Sequence, residues 1–248
     1  MAIARAFLMS LVVCSAAIAE DWSTDIALVK DMVVLDKAYI PALLSTRNKD
    51  VSRSRESIGQ LSESWVTFQL KWHDVVNAEW QSGFRKIDRL IAEVHTLDQE
   101  ELDLDEAYQK LDAIRHTFAA LRLERSIEYF VDFVTATEIA LDEVARTAAD
   151  TKSDSLSSEE VDVVRQQLRI AQDNWKIVAH TRIDKIIYRI DIYYMGDVAS
   201  TRAEGLVLFE DVIRSVDQLN RTALIEKVTQ ISKKVEHFLE ILGATPGS

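Results

Sequence analysis

Apolar positions recur along this chain in steps of three and four almost without interruption, the period of an α-helix seen from its buried face. Val51, Ser54, Ile58, Leu61, Trp65, Phe68 and Trp72 form one such series. Val161, Val164, Leu168, Ala171, Trp175, Val178 and Arg182 repeat its steps 110 residues later, with a tryptophan at the same place. Phe84, Ile87, Ile91, Val94 and Leu97 return as Leu206, Phe209, Ile213, Val216 and Leu219, offset by 122. Ala107, Leu111, Ile114, Phe118 and Leu121 return as Leu224, Val228, Ile231, Val235 and Phe238, offset by 117. Segments that keep their order while only the spacings change are what an internal duplication with loop insertions produces.

The pattern predicts helices over 23–47, 51–73, 77–97 and 104–124, then over 127–149, 158–195, 202–219 and 222–242. Ser157 with Glu160 and Thr201 with Glu204 have the spacing of a capping box, and Asp103 with Glu106 is an acidic version. Gly196 and Gly243 stand where left-handed helix stops are expected, and Pro41 should kink or restart the first helix. Leu123 to Ser126 contains no strong breaker, so one helix from 104 to 149 could run through both halves. Amphipathic helices joined by short loops pack as antiparallel neighbours. The expected fold is therefore all-α: an internally duplicated antiparallel bundle, either two tandem four-helix bundles or one eight-helix array. The first repeat occupies 20–124 and the second 125–248.

The start of the chain changes the picture of where this fold works. Arg5 is the only charge before Glu20, Ala6 to Ala16 is an apolar run too short to span a bilayer, and Ala17-Ile18-Ala19 offers a small-x-small cleavage site. Residues 1–19 read as a cleaved signal peptide and the mature chain as periplasmic, with no membrane span. Lipoprotein anchoring at Cys14 is disfavoured, because Val13 stands where a small residue is required. Cys14 is the one cysteine of the chain. A mature protein without it has no disulfide, thiolate metal site or thiol nucleophile, and must be held by packing alone.

Charge removes another class of function. Lys and Arg number 29 against 41 Asp and Glu, a formal net charge of −12. Clustered basic residues of the kind that grip a phosphate backbone are missing, which excludes nucleic acid as a partner. Catalytic signatures are missing too. The sequence has no His-Glu-x-x-His, no Glu-x-x-His, no phosphate-binding glycine loop and no Gly-x-Ser-x-Gly.

A few residues are left as candidates. Asp36 interrupts the apolar stripe of the first helix, and Arg182 stands where the other half has Trp72. A charge on a buried stripe needs a partner, a place at the rim or a solvated cavity; a rim position is the simpler account, and if a ligand cavity exists these two residues are the candidates to line it. Asp112 with His116, and His180 with Asp184, are carboxylate–imidazole pairs at i,i+4, a spacing at which a divalent metal could be held. Met32 and His116 occupy the helices from which a bundle would ligate haem b. The segment 183–195 carries a broad apolar face, with Ile186, Ile190, Tyr193, Tyr194 and Met195 as a docking surface for a partner or a second copy. The expected function is a non-enzymatic, exported binding or partner-docking module without a cofactor, acting on a protein or small ligand in the periplasm. A metal- or haem-binding bundle is the alternative.

Overall fold

The computed structural model describes residues 21–99, 103–150, 153–218 and 220–244. The expected signal segment, with Cys14, and the core candidate Leu219 lie outside the described residues. Those described form eight α-helices and no strand. They are α1 (Asp21–Arg47), α2 (Val51–Trp72), α3 (Ala78–Gln99), α4 (Leu104–Glu124), α5 (Phe130–Asp150), α6 (Ser158–His180), α7 (Met195–Ser215) and α8 (Arg221–Gly243).

Each half closes on itself. In the first, α1 packs on α2, α2 on α3, α3 on α4 and α4 back on α1. In the second, α5 through α8 make the same ring, and α1 packs along α8 to join the two. The aromatic series predicted from the sequence fill the two centres. Trp65 meets Phe84 edge-on at 5.4 Å and Phe118 at 6.0 Å, while Trp175 meets Phe238 at 5.6 Å. Both tryptophans are buried, and each indole N–H finds an acceptor: Asp88 for Trp65, the Arg202 carbonyl for Trp175. A buried indole N–H without one would cost a large part of the burial gain.

Two glycines set the approach of neighbouring helices. A Cβ on Gly83 would lie 2.5 Å from Leu121, and one on Gly205 would lie 2.3 Å from the Trp175 indole. They stand 122 residues apart, the offset of the α3 and α7 apolar series, so the repeat register extends to a packing contact.

Several helix ends differ from expectation. α4 stops at Glu124 and does not run on to 149. Ser126 adopts φ 56°, with its N–H on the Leu123 carbonyl at 3.1 Å and the Ile127 N–H on the Arg122 carbonyl at 2.9 Å. Lys49 closes α1 with the same pair of hydrogen bonds and φ 56°. These are left-handed helix closures built on serine and lysine in place of glycine. Gly196 lies within the first turn of α7, and Gly243 is the last residue of α8 with an ordinary backbone. α1 runs through Pro41 without a break. Ser157 makes its capping box and Asp103 its cap, but Thr201 is buried inside α7, which begins at Met195.

The largest departure is α6, which ends at His180 and not at 195. The Thr181 hydroxyl turns back to the Ile177 carbonyl at 2.7 Å, and the Arg202 guanidinium takes the Thr181 carbonyl at 2.6 Å. Beyond it, Asp184 accepts from the Ile186 and Ile187 N–H groups and Asp191 from the Tyr193 N–H. Aspartates bonded to their own backbone compete with helix, and a run of isoleucines gains little from it. Residues 181–194 therefore fold as a loop of successive turns, closed at Arg189 by another left-handed residue with φ 49°.

Candidate functional site

The charged residues on the inner faces of α1, α4 and α5 gather at the junction of the two rings. α4 and α5 make few close backbone approaches, and long side chains bridge the space between them. Arg115 on α4 reaches Glu138 on α5, and Arg47 at the end of α1 takes the other carboxylate oxygen at 2.7 Å. Asp112 receives the Arg115 Nε at 2.6 Å, and the Tyr39 hydroxyl donates to the Leu111 carbonyl at 2.8 Å. Further along α4, Arg122 makes a two-pronged pair with Asp132, one prong at 2.8 Å, and lies over the Tyr129 ring at 4.5 Å. Tyr129 in turn donates its hydroxyl to Asp36. Arg115, Arg122 and Glu138 are all buried. Such charges persist in an interior only when paired and hydrogen-bonded, as these are.

Asp36 is the member whose protonation is displaced most usefully. Part of the residue keeps contact with solvent, but its carboxyl group sits deep among packed atoms. Burial pushes its pKa up from 3.8 to about 6, against the opposing pull of Arg122 and the Tyr129 hydroxyl. Burial also brings the neighbouring Lys37 down to about 8, while its ammonium donates to the Ala244 carbonyl at 2.7 Å. Tyr188, on the 181–194 loop, packs edge-on against Phe130 at 4.4 Å and lies 6.0 Å from the Tyr129 ring, its hydroxyl pushed up by burial to about 12.

Asp36, Arg115, Arg122, Asp132 and Thr135 line an internal cavity of about 30 Å³. That is room for roughly two water molecules, far below the several hundred Å³ of an organic ligand site. Asp36 lies on a cavity, but the cavity is of a size for water. Arg182 does not join it; the residue is exposed on the loop beyond α6.

The metal candidates are differently placed. His116 meets Asp112 at 3.1 Å, with the ring exposed and the carboxylate shared with Arg115. His180 and Asp184 are parted by the end of α6: the histidine turns to the Lys176 carbonyl at 2.7 Å, and the aspartate caps its own loop. Among the described residues no three His, Cys, Asp or Glu side chains gather at metal-binding distance. Met32 is buried with its sulfur 3.8 Å from the Arg122 guanidinium, whereas His116 faces solvent, so the two point to different surroundings.

The docking candidates divide sharply. Ile190 is a core residue, 5 % exposed, and Tyr194 and Met195 pack partly against the core. Ile186 and Tyr193 project outward, 78 % and 87 % exposed, and Ile192 joins them at 63 %. Helical periodicity over 183–195 puts Ile186, Ile190, Tyr193, Tyr194 and Met195 on one broad face, without Ile192; the loop's turns send some inward and others out. Beside the loop runs an open groove of about 570 Å³, walled by Lys37 and Pro41 of α1, Asn48 just beyond its end, Arg53 of α2, Glu240 of α8 and Tyr194. No linear pattern announces that groove, because its walls come from segments far apart along the chain.

The chain matches no protein-family model, and neither a curated protein nor a solved structure matches it significantly.

Proposed function

We propose that this chain is an exported, non-enzymatic docking module of the periplasm, which meets its partner through the 181–194 loop. The observation that carries the reading is the exposure of Ile186, Ile192 and Tyr193 on a loop otherwise fastened to the core. Ile183 and Ile190 are buried beneath it, Tyr188 packs on Phe130, and Arg202 holds its first carbonyl. Three large apolar side chains held outward by an ordered backbone are a preorganised contact, with little entropy left to lose on binding. The cavity at the junction, about 30 Å³, is too small to hold an organic ligand.

A photo-crosslinking amino acid placed at position 193 in living cells tests this. We expect a discrete adduct, absent when the same group replaces the exposed Val207 of α7. An adduct of twice the subunit mass would identify a second copy as the partner; equal labelling from both positions refutes the docking role. Export is tested separately, by fractionation and amino-terminal sequencing, with Glu20 expected as the first residue of the periplasmic protein.

A further inference from the structure

Lys37 is set apart from the other described lysines. Lys110, Lys227 and Lys234 are half-buried too, but each is paired with a carboxylate, of Glu93, Asp211 and Glu204 in turn; the rest are exposed. Lys37 is half-buried and, among the described residues, belongs to no ion pair. Its ammonium donates to the Ala244 carbonyl at 2.7 Å, while the carboxylate next to it in sequence, Asp36, is taken by the Tyr129 hydroxyl. Burial brings its pKa down to about 8, with Asp36 opposing and Arg189 adding to the fall. A lysine sheltered in this way is a nucleophile, because much of it is free amine near neutral pH, where an exposed lysine of pKa ~10.4 is almost wholly protonated.

Space for a substrate adjoins the amine. Lys37 and Ala244, the two ends of that hydrogen bond, both wall the 570 Å³ groove. Gly243 brings α8 close to α1 at this point: a Cβ there would lie 2.9 Å from Ile40 and 3.3 Å from Pro41. The groove has the several hundred Å³ of an organic-ligand site. Ile40, Pro41 and Leu44 give it apolar lining, and Glu240 lines it from α8.

We infer that Lys37 is a covalent binding site for an organic aldehyde, which enters the groove between α1, α2 and α8 and forms a reversible imine with the amine. The inference goes beyond the docking reading and does not depend on it. The free amine attacks the carbonyl carbon, a C–N bond forms, and the C=O electron pair moves onto oxygen, which takes up a proton. The carbinolamine then loses water: the two hydrogens of the amine leave with the carbonyl oxygen, the C=N bond remains, and nothing is oxidised or reduced. Glu240, on the same groove, is available to relay the proton. An aldehyde is the class selected because this step needs a neutral amine and room for an apolar body, and neither a leaving group nor a second reactant.

Reductive trapping on the full mature chain tests the inference. The protein is incubated with hexanal and cyanoborohydride at neutral pH, and the alkylated lysines are located and timed by peptide mass mapping. A gap of about two pH units in pKa is roughly a hundredfold in free amine, part of which is lost to the weaker basicity. Lys37 should therefore be alkylated about tenfold faster than the exposed and unpaired Lys86 and Lys233. Lys37→Arg, which keeps the positive charge, should remove the fast adduct. Gln60→Trp changes an exposed residue on the α2 side of the groove. It should slow hexanal at Lys37 about tenfold by filling the space the chain needs, and leave trapping by formaldehyde, which needs little room, unchanged. Lys37 that reacts no faster than Lys86 and Lys233 overturns the inference. So does a fast adduct that survives Lys37→Arg, or hexanal trapping that Gln60→Trp leaves unchanged.

Discussion

Replacing Asp36 with asparagine isolates the energetic cost of one buried carboxylate. The amide keeps the shape and can still accept from the Tyr129 hydroxyl, but carries no charge to desolvate. The wild-type group titrates in the fold at about 6 and in an unfolded chain near its ordinary 3.8. Its folded pKa is raised, so the fold binds the proton more tightly than the unfolded chain does. The ionised form is therefore a liability above pH 6. That liability shrinks as pH falls through about 6 and is gone near pH ~4, where the unfolded chain is protonated too. A gap of about two pH units corresponds to about 3 kcal/mol at full burial, and the partial solvent contact of Asp36 brings the expectation to about 2 kcal/mol. Asp36→Asn should thus be more stable than wild type by about 2 kcal/mol at pH ~7.5 and equal to it near pH ~4. Urea unfolding followed by tryptophan fluorescence at several pH values measures the difference, and taking the difference cancels every titration the two proteins share. A variant that is less stable at neutral pH, or whose advantage does not change between acid and neutral pH, would refute the account of burial outweighing Arg122.

Other parts of the junction and core make equally direct predictions. Glu138→Ala leaves Arg115 and Arg47 facing each other without their shared carboxylate, and should lower stability by about 3–5 kcal/mol in denaturant titration, with Glu138→Gln intermediate. Gly205→Ala drives a methyl group into the Trp175 indole and should cost about 1–3 kcal/mol. Gly196→Ala meets nothing within 4 Å and should raise stability by up to about 1 kcal/mol through helix propensity alone. Thermal unfolding of the two glycine variants side by side checks both signs.

The helices and their buried faces could be read from the chain because a three-four rhythm reports burial directly. Ser54, Ile58, Leu61, Trp65, Phe68 and Trp72 are all buried on α2, as are Val164, Leu168, Ala171, Trp175 and Val178 on α6. Ends were less legible. The rule that glycine closes helices failed at Lys49 and Ser126, where side-chain-bearing residues take the left-handed turn. At 181–194 an apolar rhythm outlived its helix. Thr181, Asp184 and Asp191 were the available warning, being residues whose side chains bond their own backbone. The polar seam was half visible. Asp36 marked it as a charge out of place, but Arg115, Arg122, Asp132 and Glu138 each sit on faces that look solvent-bound until two helices from different halves are brought together.

That seam also fixes how the molecule comes apart. Arg47, Arg115 and Arg122 belong to the first half, and the acids that neutralise them, Asp132 and Glu138, belong to the second. A chain cut at the exposed Ser126 turn would yield two fragments with oppositely charged inner faces, each poorly satisfied alone and each the complement of the other. The halves are thereby coded to recognise one another, so separately expressed fragments should reassemble, and the intact protein, whose core runs through both halves, should unfold as a single cooperative unit.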